Sequence, residues 1–546
     1  MKTPTAVLSC SLALLAAASV RAMDFANLST PSAILLDGAP AGSRVALGPT
    51  GDVFLKGGTA SSVKLVWMVA LGAETRVLGD MWERTYGDSA WRRVDAAKVP
   101  RKGCMPWYFL ATDGERTDGY GVMVQPNAFA CWKAFPDRIE LLLDVRAGAD
   151  PVELGTRELA LCRLVARRGT AGERPFAAGR AFCRVMCPTS RVPKAPVYGY
   201  NDWYCAYGKN TATNFLADAA FLIRNMDRVN GGRVENRPFV VVDDGWQRDD
   251  VPPGPEGYWA AHGTRWGMAM DEYARQVRAL DARPGLWYRP LEPWAAMPAD
   301  WRMKDYRVKD LPAIDPTAKG VEAFIRADLA RFRAWGMEMV KIDFITFDWG
   351  GTWGYQLEES PVMRADTRWR DRSRTSAEVI RGLYCAMREA AGDMYIIGCN
   401  AIDHFAAGLF ELQRTGDDTD GRGWPRTRKQ GPNTMGMRAI HNGIFYLNDG
   451  DCVGLVRPGA VPWEKNSQWL DLVARSGTAL FTSWKRELAT DPEVADALGR
   501  AWCAAARPQT TAEPLDWLVR MRPEMWTLNG ARATFDWDLK QNKETK

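Results

Sequence analysis

Met339-Val340-Lys341-Ile342-Asp343-Phe344-Ile345 is an apolar run that delivers a carboxylate at its end, with a lysine two residues before it. Residues two apart on a strand share a face, so Lys341 and Asp343 are presented together. The surrounding chain has the same rhythm. Strand-like runs at 197–203, 238–246, 283–289, 339–345, 394–400, 412–418, 444–449 and 479–484 alternate with helix-like segments such as 214–229, 270–280, 321–335 and 376–391. Eight strands, each followed by a longer segment, over roughly 290 residues predict a (β/α)8 TIM barrel. The polar residues Asn201-Asp202, Asp243-Asp244, Arg289, Asp343, Asn400, Asp418 and Asn448-Asp449 fall at the C-terminal ends of these runs. In such a barrel that end is the catalytic face.

Working outward, residues 24–190 read as short β-strands, including Val63-Lys64-Leu65-Val66-Trp67-Met68-Val69 and Arg138-Ile139-Glu140-Leu141-Leu142-Leu143-Asp144-Val145, broken by Gly, Asp and Pro turns. A β-sandwich is expected there. The stretch Cys187-Pro188-Thr189-Ser190-Arg191-Val192-Pro193-Lys194-Ala195-Pro196 reads as a linker. After about residue 505 the pattern is β again, with room for two or three strands. Lys2, the apolar run 8–20 and Val20-Arg21-Ala22 form a signal-peptide pattern. Only six residues precede the Val7-Leu8-Ser9-Cys10 box, which disfavours a lipid anchor. The expected organisation is a multidomain α/β chain: signal peptide 1–22, β-sandwich 23–190, catalytic barrel 191–500, and a short C-terminal β segment 501–546. The product is expected to be exported, periplasmic or secreted, with no membrane span.

Composition narrows the function classes. The 546 residues are 46% hydrophobic and 25% charged, which is globular. The net charge of +5 is thinly spread, and without a long basic run nucleic acid is not an expected partner. The three histidines, His262, His404 and His441, are isolated, which argues against a histidine triad or a zinc hydrolase. No metal and no cofactor are expected. The 11 cysteines form no paired zinc framework and are expected to be mostly free, buried thiols. Trp (24) outnumbers Phe (19), which fits either core filling or stacking platforms for sugar rings.

The candidate chemistry lies in two carboxylate segments. A lone Asp at a strand end is usually a cap or turn residue. Lys341 on the same face argues otherwise for Asp343, because a nearby cation favours the anion needed for attack. Leu412-Gln413-Arg414-Thr415-Gly416-Asp417-Asp418-Thr419-Asp420 crowds three acids, and like charges raise at least one pKa, as a proton donor requires. The spacing leaves Asp417 and Asp418 both open as that donor. An attacking anion paired with a proton-carrying acid is what glycoside hydrolysis uses. Asp243-Asp244, at the end of an apolar run, offers acceptors for two neighbouring sugar hydroxyls. Trp203 and Trp287 offer a stacking wall.

Val197-Tyr198-Gly199-Tyr200-Asn201-Asp202-Trp203-Tyr204, Val242-Asp243-Asp244-Gly245-Trp246-Gln247, Pro284-Gly285-Leu286-Trp287, Lys341-Ile342-Asp343-Phe344, Ile397-Gly398-Cys399-Asn400 and Arg414-Thr415-Gly416-Asp417-Asp418-Thr419 occur in register at strand ends. Together they resemble glycoside hydrolase family 36, the melibiase-type α-galactosidases. The resemblance covers about 197–485. It implies an exo-acting retaining hydrolase for α-linked galacto-configured oligosaccharides, with Asp343 as nucleophile and Asp418 as acid/base. It implies that Asp243 and Asp244 hold the galactose O4 and O6 edge, and that Trp203, Tyr204, Trp287, Lys341, Cys399 and Arg414 line the pocket. It places Trp82 as a contribution from the N-terminal domain. Three features depart from the family, one of them an abbreviated C-terminal β domain. An asparagine of the larger branch is missing after Asp343, and Ser483-Trp484 stands where an acid is common. The alternatives are an α-N-acetylgalactosaminidase, a raffinose-synthase-like transglycosidase and, in another class, a non-catalytic carbohydrate-binding relative.

Overall fold

The structure, a computed structural model, describes residues 30–94 and 103–539. The expected signal peptide lies outside the described residues. The N-terminal part forms two antiparallel sheets. One has six strands, including Ala33–Leu36, Ser62–Met68, Phe129–Ala134 and Arg138–Asp144. The other has seven, including Asp52–Lys56, Tyr108–Thr112, Thr117–Val122 and Glu158–Arg167. In Ser62–Met68 buried and half-buried residues alternate, the period-2 signature of a strand with one face in a core. Cys104 and Cys131 form a disulfide, and the other described cysteines are free.

Eight parallel strands close into a barrel: β1 (Tyr198–Asn201), β2 (Phe239–Val242), β3 (Arg283–Tyr288), β4 (Met339–Ile342), β5 (Tyr395–Gly398), β6 (Leu412–Arg414), β7 (Leu447–Leu455) and β8 (Ala479–Trp484). Strand β1 pairs with both β2 and β8, closing the ring. A Cβ at Gly199 would collide with the Phe239 carbonyl, so only glycine fits this approach of β1 to β2. The helices Ala212–Asn230, Met270–Ala279, Val321–Ala334, Ser376–Ala391, Trp424–Met437, Trp463–Arg475 and Pro492–Ala505 surround it. Glu513–Pro514, Met525–Leu528 and Ala531–Thr534 make a small antiparallel sheet. Among the described residues no helix is long and apolar enough to cross a membrane.

Strand parity places the candidate site. Phe239, Val241, Met339, Ile397, Leu412 and Phe481 pack together as a compact cluster, while Val240, Val242, Val340, Ile342 and Ile396 belong to the larger core. Fully apolar strands follow from burial on both faces. The next residues of the first parity are Asp243, Lys341, Asp343, Cys399 and Arg414, which therefore crown that cluster.

The strands are mostly shorter than the expected runs, β2 ending at Val242 instead of 246, and three boundaries have a clear local reason. Strand β4 stops at Ile342 because Phe344 adopts a left-handed backbone (φ 58°) and Ile345–Gly350 turns helical. Strand β6 stops at Arg414 because Gly416 bridges to Thr85 of the N-terminal part instead. Strand β7 runs on to Leu455 through a register shift between Asp449 and Cys452, where Asp451 has φ 68°.

Candidate active site at the barrel mouth

The site is built from the C-terminal ends of the strands. Beyond β4, Asp343 accepts hydrogen bonds at Oδ2 from the Trp287 indole (3.1 Å) and at Oδ1 from the Phe344 amide (2.8 Å). The Asn400 amide, turned so that its nitrogen faces Asp343, donates to Oδ1 at 2.5 Å while its oxygen accepts from Arg84 Nη2 at 3.2 Å. Three donors thus fix the carboxylate in one orientation. Trp287 is 2% exposed. It serves as a buried donor to Asp343, not as the exposed stacking platform expected from sequence.

Lys341 departs from expectation as well. Its Nζ lies 2.7 Å from Asp243 Oδ2, so it braces the carboxylate of β2 and not its own neighbour Asp343. Burial opposes its charge, but the Asp243 carboxylate holds the ammonium well above its ordinary pKa. Asn201 also donates to Asp243 Oδ2 (2.8 Å), and Asp202 Oδ1 accepts from the Asp243 amide (2.8 Å). Breaking a buried pair of this kind from one side costs about 3–5 kcal/mol, because the remaining charge is stranded. Asp244 accepts from Gln247. Burial pushes its pKa up to about 6, against the Gln247 hydrogen bond and with repulsion from Asp243. At neutral pH Asp244 is still mostly an anionic acceptor.

Three arginines surround the second carboxylate segment. Asp418 lies 3.4 Å from Arg414, 3.3 Å from Arg426 and 3.8 Å from Arg84. Asp417 lies 3.0 Å from Arg84 and 3.4 Å from Arg426. Burial alone would raise the Asp418 pKa, but Arg84, Arg414 and Arg426, with Lys341 behind them, hold it below the usual carboxylate range. The expectation that crowded acids would raise it is overturned, since the cations on this side outweigh the neighbouring acids. Arg414 also approaches Cys399 Sγ (3.3 Å) and Asp451 (3.2 Å), and Asp451 accepts from the Tyr204 hydroxyl and the Thr419 amide. Burial raises the Cys399 pKa, so the thiol stays protonated. Half-buried Trp203 stacks on Tyr207 at 4.6 Å.

The N-terminal part reaches this site, but not through Trp82. That indole is fully buried, edge-on to Trp107 and Phe129, and donates to the Glu358 carbonyl. Two residues on, Arg84 crosses into the mouth. Thr85 pairs as a strand with the acidic loop: its amide donates to Thr415 O (2.8 Å), and the Asp417 amide donates to Thr85 O (3.2 Å). A Cβ at Gly416 would lie 2.6 Å from the Gln430 carbonyl, so glycine permits the loop to pass. Arg84 and Arg426 carried no barrel-period signal. Asn201, Asp202 and Asn400 did, as polar strand ends, but only packing gave them partners. Among the described residues no cluster of His, Cys, Asp and Glu could hold a metal ion.

No protein-family model matches the sequence, and no curated protein matches it. Solved structures do match. TtGalA, an α-galactosidase from Thermus thermophilus in complex with p-nitrophenyl α-D-galactopyranoside, superposes with a TM-score of 0.58 at 17% identity, over 92% of this chain and 96% of that one. A variant of AgaA, an α-galactosidase of glycoside hydrolase family 36 from Geobacillus stearothermophilus in complex with 1-deoxygalactonojirimycin, gives 0.57 at 13%, over 83% of this chain and 65% of that one. The galactosidase domain of the α-galactosidase–sucrose kinase AgaSK gives 0.57 at 15%, over 83% and 63%. At these identities the likeness is one of architecture: this chain has the fold of the family 36 α-galactosidases.

Proposed function

We propose that the chain is an exported, exo-acting retaining α-galactosidase. The observation that carries the reading is one arrangement at the barrel mouth. A thrice-anchored carboxylate, Asp343, is linked through Asn400 and Arg84 to Asp418, with the Lys341-braced Asp243 and adjacent Asp244 at the end of β2. In the first step an Asp343 oxygen attacks the anomeric carbon, the bond to the leaving oxygen breaks, and Asp418 gives that oxygen its proton. In the second step Asp418 takes a proton from water, whose oxygen displaces Asp343. Asp243 and Asp244 accept from O4 and O6 together only when O4 lies on the same side as O6, which selects the galacto configuration. A glucoside would leave a buried anion without its donor.

The test is a panel of aryl α-glycosides (galactoside, N-acetylgalactosaminide, glucoside, arabinopyranoside) with purified protein. The galactoside is expected to exceed the glucoside by roughly 30- to 1000-fold in kcat/KM. Proton NMR should detect α-galactose as the first-formed sugar. Equal rates on both substrates, or β-galactose first, would overturn the proposal.

The three-arginine surround has its own consequence. A lowered pKa means that Asp418 loses its proton at lower pH, so acid catalysis on unactivated oligosaccharides fades as pH rises through that lowered value. Arg426→Leu removes one depressing charge and moves this basic limb to higher pH. Raffinose turnover at pH 7 should rise about 3- to 10-fold while turnover of dinitrophenyl α-galactoside stays flat. An unmoved limb in the pH profile of kcat/KM would exclude this role for Arg426.

A further inference from the structure

A second cavity, of about 340 Å³, lies behind the sugar-recognition pair, between the ends of β1 and β8 and the start of helix Ala212–Asn230. Its walls include Asp202, Lys209, Asn210, Trp484, Lys485 and Arg486. Lys209 and Lys485 are exposed, and among the described residues neither makes an ion pair. Arg486 is neutralised by Asp218 (2.6 Å), whose other oxygen accepts from the Tyr200 hydroxyl (3.1 Å). The wall therefore carries two uncompensated cations.

The interior adds a polar atom without a partner. Trp484 is 1% exposed and its indole N–H has no acceptor. Buried polar groups are rarely left this way. Asp202 and Asn210, 2% and 3% exposed, lie against each other in the same wall. Burial pushes the Asp202 pKa up to about 8, so at neutral pH this carboxyl is largely uncharged and adds a donor instead of a repelling anion. Thr211, the N-cap of the 19-residue helix, also lines the cavity, so the positive end of that helix faces the same space.

We infer that this cavity binds an oxyanion, a sulfate, phosphate or carboxylate group, either free or carried by a saccharide. The volume exceeds that of a lone anion and leaves room for a sugar ring beside it. The site shares a wall with the barrel mouth: Asp202 holds the Asp243 amide, and Asn210 donates to the Asp243 (3.1 Å) and Asp244 (3.2 Å) carbonyls. Occupancy would therefore bear on the placement of the recognition pair. This inference does not depend on which glycoside is hydrolysed.

The test is isothermal titration of the full chain at constant ionic strength, with sodium sulfate and with galactose 6-sulfate, each in excess neutral galactose to occupy the barrel mouth. Saturable binding of at least one is expected, weakened by about tenfold or more in a Lys209→Glu/Lys485→Glu variant. Both lysines are exposed and outside the catalytic machinery, so the variant should fold, as a thermal melt checks. Asn214→Trp, at an exposed lining residue, should fill the cavity and abolish binding. Tighter binding of galactose 6-sulfate than of sulfate assigns the site to an anionic sugar, and equal binding assigns it to a free anion. No saturable binding of either titrant, or unchanged affinity in the charge-reversed variant, would overturn the inference.

Discussion

Asp343→Ala protein is expected to lose activity on aryl α-galactosides by about 10⁴-fold or more, because no other group supplies the covalent step. The carboxylate is held by the Trp287 indole, the Phe344 amide and the Asn400 amide. Replacing it by a methyl group opens space where a small external anion can attack. Added azide should restore slow turnover of an activated galactoside and yield the inverted β-galactosyl azide, identified by its anomeric coupling. Formation of the galactosyl azide requires a folded site, so it distinguishes loss of the nucleophile from misfolding. Near-wild-type turnover in this variant would remove Asp343 from the mechanism.

The second large effect depends on the leaving group. Asp418→Ala should lower kcat/KM for raffinose by about 10³- to 10⁴-fold, yet cost less than about tenfold with dinitrophenyl α-galactoside, whose departure needs no proton. With azide, the trapped glycosyl-enzyme should release the retained α-galactosyl azide. Asp417 and Asp418 share Arg84 and Arg426, but only Asp418 also meets Arg414, which projects from β6 with the parity of Leu412. Arg414 therefore ties Asp418 to the barrel mouth, while the Asp417 amide is committed to Thr85. If Asp417→Ala shows the leaving-group signature instead, the acid is one residue earlier than proposed.

The barrel was legible because parallel strands buried on both faces must be apolar runs, and because period-2 parity fixes which side chain follows the last interior one. Met339 and Ile342 mark the two faces of β4, so Lys341 and Asp343 were read correctly as sharing the mouth. The same logic put Asp243, Cys399 and Arg414 beside them. Parity says where a side chain starts and nothing of where its end goes. Lys341 is long enough to reach β2, where its ammonium pairs with Asp243.

The sequence by itself determined the barrel and its polar rim, since both follow from spacing within strands, and it left Asp417 and Asp418 both open as the acid. Only the tertiary structure decided their electrostatics. Arg84 comes from a loop of the N-terminal part and Arg426 from the helix after the acidic loop, and together with Arg414 they reverse the expected direction of the Asp418 pKa. Coulomb interactions depend on distance in space, and charges separated by hundreds of residues carry no mark in the sequence that they will meet.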